Sequence, residues 1–199
     1  MKIYTSIKII SGIGLGEWSE GGINNKFLSI YYMFEHIINF IGFHGPEILF
    51  ITSVSYLYVQ NSYTTIYIVG FLINSLINYI LKGVFGQPRP IDDTHLFKLE
   101  KIYRKLTFEK YGMPSGHIQS MFYSTIYTYL VLNNNMLLLG CLIISLVTIY
   151  QRVQSQQHFL LQTIVGAIIG SIIGYIFYKY TQKHLQGKLK LKIDDYALV

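Results

Sequence analysis

The chain has 199 residues, of which 51% are hydrophobic, 16% aromatic and only 13% charged. This composition is too apolar and too poor in charge for an ordinary soluble domain, and it favours a membrane protein. The basic residues behind the net charge of +6 lie at the ends of hydrophobic runs and near the carboxyl terminus. That distribution fits the polar edges of a bilayer and argues against nucleic-acid binding.

Six apolar runs follow a polar, glycine-rich segment of residues 1–26, and each run is interpreted as a membrane span. The last run has no Asp, Glu, Lys or Arg between Phe159 and Tyr178, which is long enough to cross a hydrocarbon layer of about 30 Å. The sequence therefore predicts an all-α bundle over residues 27–180, with short connections between antiparallel neighbours. The runs are residues 27–43, 46–60, 64–85, 115–132, 136–151 and 158–178.

The connections and their charges predict an orientation. Six crossings leave both ends on one side, and the basic tail of residues 181–199 indicates that this side is the cytoplasm. The connection of residues 86–113 then lies on the extracytoplasmic face, although it is itself basic, which opposes this orientation. Apolar residues at helical spacing within it predict an interfacial helix: Leu99, Ile102, Tyr103, Leu106 and Phe108.

Glycines recur at every fourth position of the last run, at Gly166, Gly170 and Gly174. A row of this kind lets a neighbouring helix approach closely. The neighbour is either another helix of the same chain or a second copy in a homodimer, and the sequence leaves both open.

Two motifs place cations and a helix start at the same predicted membrane face. Lys82 lies near the end of the third run, and six residues separate it from Arg89. The fourth run opens with Ser115, Gly116 and His117, where free backbone N–H groups, a hydroxyl and the helix dipole favour an anion. Taken singly, each motif also has a structural explanation without a function. The first fits two cations that snorkel to the membrane surface, and the second fits a capped helix with an incidental histidine.

A third motif joins the fifth and sixth runs. Arg152 ends the fifth run, His158 begins the sixth, and Gln162 lies one helical turn further along, where it can orient the imidazole for nucleophilic catalysis. Together the motifs supply three cations, an anion site at a helix start and two histidines, which covers the roles that phosphoryl transfer needs. No carboxylate cluster suited to Mg²⁺ or Zn²⁺ accompanies them, so we predict a reaction without metal or other cofactor.

These residues make the chain resemble the type 2 phosphatidic acid phosphatase superfamily. Its pattern is a lysine separated by six residues from Arg-Pro, then Pro-Ser-Gly-His, then Ser-Arg with a downstream histidine and aspartate. The resemblance covers residues 82–162. It implies a six-helix membrane bundle of the vanadium haloperoxidase-like kind. It also implies that His158 starts neutral and attacks phosphorus to form a phosphohistidine, while His117 starts protonated and protonates the leaving oxygen. The implied phosphate-binding residues are Lys82, Arg89, Ser115, Gly116 and Arg152.

Two positions depart from the commonest pattern of that family. Gln151 stands in place of its serine, and Gln162 in place of its aspartate. An amide can accept the imidazole N–H but brings no negative charge to the ring. Glutamine at this place, with Tyr-Gly-Met-Pro-Ser earlier in the chain, is similar to the dolichyldiphosphatase branch. That resemblance implies a polyisoprenyl diphosphate substrate, dolichyl diphosphate above all, cleaved to the monophosphate on the lumenal face of the endoplasmic reticulum or another endomembrane.

Two other functions remain open. A broader lipid phosphate phosphatase that acts on phosphatidic or lysophosphatidic acid has the same motifs, and a catalytically silent membrane protein would bind anionic lipids through the same cations. The histidines outside the motifs are expected to be structural or solvent-facing: His36, His44, His95 and His184.

Overall fold

A computed structural model of the chain describes residues 23–58, 61–90 and 106–191. The described part is built from α-helices and their connections, so the all-α prediction is confirmed. A short 3-10 helix, Phe108–Lys110, precedes the third α-helix. The five α-helices are α1 (Ile23–Leu57), α2 (Asn61–Phe85), α3 (Gly116–Leu132), α4 (Asn135–Gln154) and α5 (Leu160–Leu191).

The prediction of six helices is not confirmed, because the described residues contain five α-helices and the first two runs form one of them. Pro46 begins the second expected run, yet α1 continues through it to Leu57. Only His44 and Gly45 separate the expected runs, too few residues to reverse the chain between two antiparallel spans. Proline removes one N–H group from a helix, and membrane helices tolerate that loss. Since five α-helices are found in the described residues, an even number of crossings no longer supports the prediction that both ends lie on one side.

The chain divides into two compact units, Met1–Ile37 and Ile38–Val199. In the first unit the structure describes residues 23–37, which form the start of α1. The cavity and the side-chain contacts described below belong to the second unit. Residues 1–22 of the predicted polar segment and residues 192–199 of the predicted tail lie outside the described residues, as does most of the predicted interfacial helix. The last helix runs beyond the predicted end at residue 178, to Leu191.

Among the residues that the structure describes, four helical segments are long and apolar enough to cross a membrane, which agrees with a multi-pass membrane protein: Ser29–Leu57, Ser62–Phe85, Asn135–Gln154 and Leu160–Leu185. Helix α3 has 17 residues and is not among them. It packs against α2, α4 and α5, and Ile118, Met121, Tyr123 and Tyr127 on it are fully buried. The central position of α3 explains why its first turn meets the ends of its neighbours.

The glycine row of α5 faces α3 of the same chain. A Cβ atom at Gly166 would lie 2.7 Å from the Ser115 carbonyl oxygen, and one at Gly174 would lie 2.9 Å from that of Tyr123. At Gly170 a Cβ atom would collide with the α3 backbone. The row therefore serves packing within the chain, and this face is not available as the seam of a homodimer.

Replacement of Gly170 by alanine is expected to destabilise the bundle, because the added methyl meets backbone, which cannot rotate away. Overpacking of this kind costs about 1–3 kcal/mol. Gly140→Ala in α4 is the matched control, since a Cβ atom there has nothing within 4 Å and alanine favours a helix. Thermal unfolding in detergent compares the two variants, and equal unfolding temperatures would contradict the close contact of α3 and α5.

Candidate active site

A cavity of about 250 Å³ lies where the end of α2, the start of α3 and the end of α4 meet. Six of the eight predicted site residues line it, so the structure brings the three sequence motifs together. Burial is nearly complete for three of them, with exposed fractions of 3% for Lys82, 6% for Arg152 and 2% for His158. The six residues are Lys82, Arg89, Gly116, His117, Arg152 and His158.

A turn at the end of α2 carries Arg89 to the cavity. Gly86 has a φ of 57°, in the left-handed region that favours glycine, and its N–H donates to the Lys82 carbonyl at 3.0 Å, which ends the helix. Beyond it, Pro88 forms an isolated β-bridge with Tyr111. The turn and the bridge together hold Arg89 next to the segment that leads into α3.

The imidazole of His158 is held with one nitrogen toward the cavity. Its Nδ1 lies 2.9 Å from the Gly112 carbonyl oxygen and 3.2 Å from Gln162 Oε1. A backbone carbonyl can only accept, so Nδ1 carries the hydrogen and the neutral ring keeps its lone pair on Nε2. Nε2 is 3.3 Å from Arg89 Nη1. The nucleophilic lone pair therefore points at a cation of the cavity wall.

Burial and the three cations keep both cavity histidines neutral. Burial first, then Arg89, Arg152 and Lys82, lower the pKa of His158 well below its usual value of 6.5. For His117, which lies outside the four candidate membrane segments, burial and then the same cations lower the pKa to about 3. A neutral His158 suits a nucleophile. A neutral His117 differs from the expected protonated one, because the cations oppose a further positive charge; an anion between them would offset their field and raise that pKa.

A carboxylate that the sequence motifs do not include lies among the cations. Glu109 forms an ion pair with Lys82, and its Oε2 is 3.8 Å from Arg89 Nη2. Its backbone carbonyl accepts from Arg89 Nε and Nη2 at 3.3 and 3.1 Å. The neighbouring Phe108 anchors this segment, since its ring lies 5.2 Å from that of Tyr79 on α2. An anionic ligand must therefore compete with Glu109 for the same cations.

Replacement of Glu109 by glutamine is expected to tighten the binding of inorganic phosphate about fivefold, because a partly exposed ion pair is worth up to about 1 kcal/mol. The measurement is the inhibition constant of phosphate in a phosphate-release assay. Glu47→Gln is the matched control, since Glu47 is an exposed α1 residue. Phosphate binding that stays unchanged or weakens in Glu109→Gln would contradict the competition.

The two remaining predicted residues lie off the cavity wall. Gln162 is fully buried and contacts His158, as predicted from the spacing. Ser115 is also fully buried, and its N–H donates to the Gln162 carbonyl at 3.0 Å. Its Oγ has no hydrogen-bond partner among the residues that the structure describes. The Ser115 hydroxyl therefore does not face the cavity in which phosphate is expected to bind, whereas Gly116 lines that cavity.

Three neutral polar residues, Ser75, Asn78 and Ser120, complete the wall. The signal for them in the sequence is helical spacing, because Asn78 lies one turn before Lys82 and Ser120 lies one turn after His117. The Asn78 amide donates to Gln119 and Pro114 at 2.8 and 3.3 Å. Ser75 lies two turns before Lys82, so the cavity extends along α2 into its apolar segment.

Two histidines outside the motifs, His44 and His184, belong to the second unit and do not line the cavity. The His44 ring lies 4.8 Å from that of Phe40, and the His184 ring stacks on Tyr180 at 6.1 Å. These contacts agree with the structural role that was expected. His95 lies outside the described part of the chain.

Comparison with known proteins gives a family and a set of named relatives. The family described as the PAP2 superfamily matches residues 63–186. Dolichyldiphosphatase 1 of Homo sapiens is 27% identical over 145 residues, which cover 65% of this chain and 57% of that protein. Dolichyldiphosphatase 1 of Plecturocebus moloch is 26% identical over 167 residues, which cover 75% of this chain and 66% of that protein.

The chain thus spans less than two thirds of the length of these curated relatives. No solved structure matches it significantly. The family match contains all three motifs that meet at the cavity, from Lys82 to Gln162. The resemblance to the type 2 phosphatidic acid phosphatases is thereby confirmed, and the chain belongs to the PAP2 superfamily.

Proposed function

We propose that the chain is a membrane lipid phosphatase that hydrolyses a polyisoprenyl diphosphate to the monophosphate and inorganic phosphate through a phosphohistidine at His158. One observation carries the proposal: Nδ1 of His158 is held by acceptors while Nε2 faces Arg89 at 3.3 Å. A neutral, oriented imidazole beside fixed cations is the arrangement that nucleophilic attack on a phosphate requires.

The cavity residues have distinct tasks in this reaction. Lys82, Arg89 and Arg152 bind the phosphate oxygens, which replace the Glu109 carboxylate at Lys82 and Arg89. The three cations also stabilise the charge of the transition state. Gly116 leaves room for the phosphate at the start of α3, where the helix dipole also favours an anion. Ser115 contributes through its backbone, because the hydrogen bond from its N–H to the Gln162 carbonyl positions the neighbouring Gly116.

The reaction proceeds in two steps. Nε2 of His158 attacks the terminal phosphorus, the bond to the bridging oxygen breaks, and His117, protonated once the substrate offsets the cations, gives its proton to that oxygen. Water then attacks the phosphohistidine, His117 takes a proton from the water, and phosphate leaves with His158 restored. Gln162 accepts the Nδ1 hydrogen throughout and keeps the ring in its reactive orientation.

The diphosphate substrate is proposed from the relatives, which are named Dolichyldiphosphatase 1. The shape of the cavity supports a lipid substrate in general, because its wall continues from Lys82 to Ser75 along an apolar segment of α2. The headgroup would bind at the cations while the polyisoprenyl chain stays in the hydrocarbon layer.

We also propose that the cavity opens on the extracytoplasmic face of an endomembrane such as the endoplasmic reticulum, with residues 86–113 on that face. His158 precedes the start of α5, and basic residues collect toward its other end, at Lys179, Lys183, Lys188 and Lys190. The 32 residues of α5 extend about 48 Å, enough to place that end and residues 181–199 in the cytoplasm. Protection of a tag after Val199 from protease added to intact microsomes, whose cytoplasmic face is outward, would contradict this orientation.

Parallel assays of the purified full chain test the substrate. Dolichyl diphosphate, phosphatidate and lysophosphatidate are offered in mixed micelles, and phosphate release is measured. We expect the highest kcat/KM with dolichyl diphosphate. A preference for phosphatidate or lysophosphatidate would replace the substrate class and keep the mechanism. Binding to anionic vesicles without phosphate release from any of the three lipids would overturn the enzyme and favour a silent lipid-binding protein.

A further inference from the structure

We infer that Gln87 is a positioning residue for the nucleophile: it holds both acceptors of the His158 Nδ1 hydrogen, one through its side chain and the other through its backbone. The inference rests on the proposed function of His158 and concerns a residue outside the phosphate-binding set. Gln87 stands two positions before Arg89 in the turn after α2.

The side chain of Gln87 fixes the amide of Gln162. Gln162 Nε2 donates to Gln87 Oε1 at 3.1 Å and to the Pro88 carbonyl at 3.0 Å, so both hydrogens of its NH₂ group have acceptors. Gln162 Oε1 accepts from the Phe159 N–H at 3.2 Å and faces His158 Nδ1 at 3.2 Å. A flipped amide would set donor against donor on one side and acceptor against acceptor on the other.

The backbone of Gln87 fixes the second acceptor. Its carbonyl accepts from the Gly112 N–H at 2.8 Å, and the Gly112 carbonyl is the closer partner of His158 Nδ1 at 2.9 Å. Gly112 must lack a side chain here, because a Cβ atom would collide with the Gln162 amide. One residue thus connects the turn after α2, the segment before α3 and the start of α5 around a single ring.

This network explains why glutamine at position 162 suits the chain. A carboxylate there would still accept from His158, but its other oxygen would face the Pro88 carbonyl and Gln87 Oε1, neither of which can donate as oriented. We expect the repulsion between these acceptors to cost more than the added negative charge contributes to the ring. The NH₂ group of Gln162 is therefore part of its role, and Gln87 supplies one of the two acceptors that it needs.

The test compares Gln87→Met, which keeps the length but removes the acceptor, with Gln87→Glu, which keeps an acceptor oxygen. Loss of a group that orients a metal-binding histidine costs about 10- to 100-fold. By analogy, and because the Pro88 carbonyl remains, we expect Gln87→Met to lower kcat about tenfold with KM within about twofold. Gln87→Glu should keep kcat within about threefold of the unmutated chain. Gln154→Met at an exposed position of α4 is the matched control.

Gln162→Glu provides a second and independent variant. We expect it to lower kcat, although it restores the negative charge that most of the family has at this place. Unchanged kcat in Gln87→Met, an equal loss in Gln87→Glu, or a gain in Gln162→Glu would each overturn the inference. A Gln87→Met chain that fails to fold leaves the Gln162→Glu result to decide.

Nitrogen-15 NMR of histidine-labelled protein separates this inference from the proposed function. In the unmutated chain His158 should show a protonated Nδ1, and Gln87→Met should shift the Nδ1–H signal, because the Gln162 acceptor is no longer fixed by Gln87, whether or not the chain hydrolyses a lipid. Absence of phosphate release from the unmutated chain would overturn the proposed function alone. An Nδ1–H signal that is the same in both proteins would overturn the role of Gln87 alone.

Discussion

Replacement of His158 by asparagine is expected to abolish phosphate release, with a loss of about 10⁴-fold or more. Asparagine can still accept or donate a hydrogen bond near Gly112 and Gln162, but it has no nucleophilic nitrogen to face Arg89. Since the ring is 2% exposed, unfolding in detergent is followed in parallel to show that the variant is intact. The assay measures the initial rate of phosphate release from dolichyl diphosphate.

His184→Asn is the matched control for this variant. His184 lies on α5 away from the cavity, where its ring stacks on Tyr180, so its replacement should leave the rate within about twofold of the unmutated chain. A folded His158→Asn chain that retains more than about a hundredth of the activity would show that another group attacks phosphorus.

Replacement of His117 by glutamine is expected to lower hydrolysis by an amount that depends on the leaving group. A general acid contributes about 10²- to 10⁴-fold, and its contribution is largest when a strongly basic oxygen departs. Phosphatidate releases an alkoxide, whereas a diphosphate releases a phosphate, which needs less help. We therefore expect a loss of about 10³-fold with phosphatidate and of about 10- to 100-fold with the diphosphate.

The ratio of the two losses is the measurement that matters for His117. Both substrates are assayed with the same preparation, so a loss caused by poor folding would affect both equally. Equal losses with phosphatidate and with the diphosphate would contradict the role of His117 as the general acid. His117 would then only line the cavity. The pH dependence of kcat in the unmutated chain checks this role further. The pKa of His117 is about 3 without substrate, so the bound phosphate must raise it before His117 can donate a proton near neutral pH.

The three motifs could be placed from the sequence because each depends on local geometry. A lysine in the last turn of a helix, a histidine in the first turn and a glutamine one turn beyond another histidine all follow from helical spacing. Their meeting could be expected once the ends of the spans were assigned to one face. Ser115 is the exception, because its burial and the partner of its N–H depend on the packing of α5.

Features that depend on long-range packing were not accessible in the same way. The His44 to Pro46 segment has the composition of a turn, yet α1 is continuous there. Glu109 is 27 residues from Lys82 along the chain, and no spacing rule relates a loop acid to a helix end. Gln87 and Gly112 act partly through backbone carbonyls, which no side-chain pattern reveals. The glycine spacing predicts a close contact with another helix, but only the structure shows that this helix is α3 of the same chain.

The most direct measurement of the central claim is the trapping of a phosphorylated protein. The purified chain is mixed with dolichyl diphosphate that carries a radioactive terminal phosphate and is quenched within milliseconds in alkaline denaturant. An acid-labile label on the peptide that contains His158, present in the unmutated chain and absent from His158→Asn, is the expected result. Label on a different residue, or rapid hydrolysis with no label at any quench time, would contradict a phosphohistidine at His158.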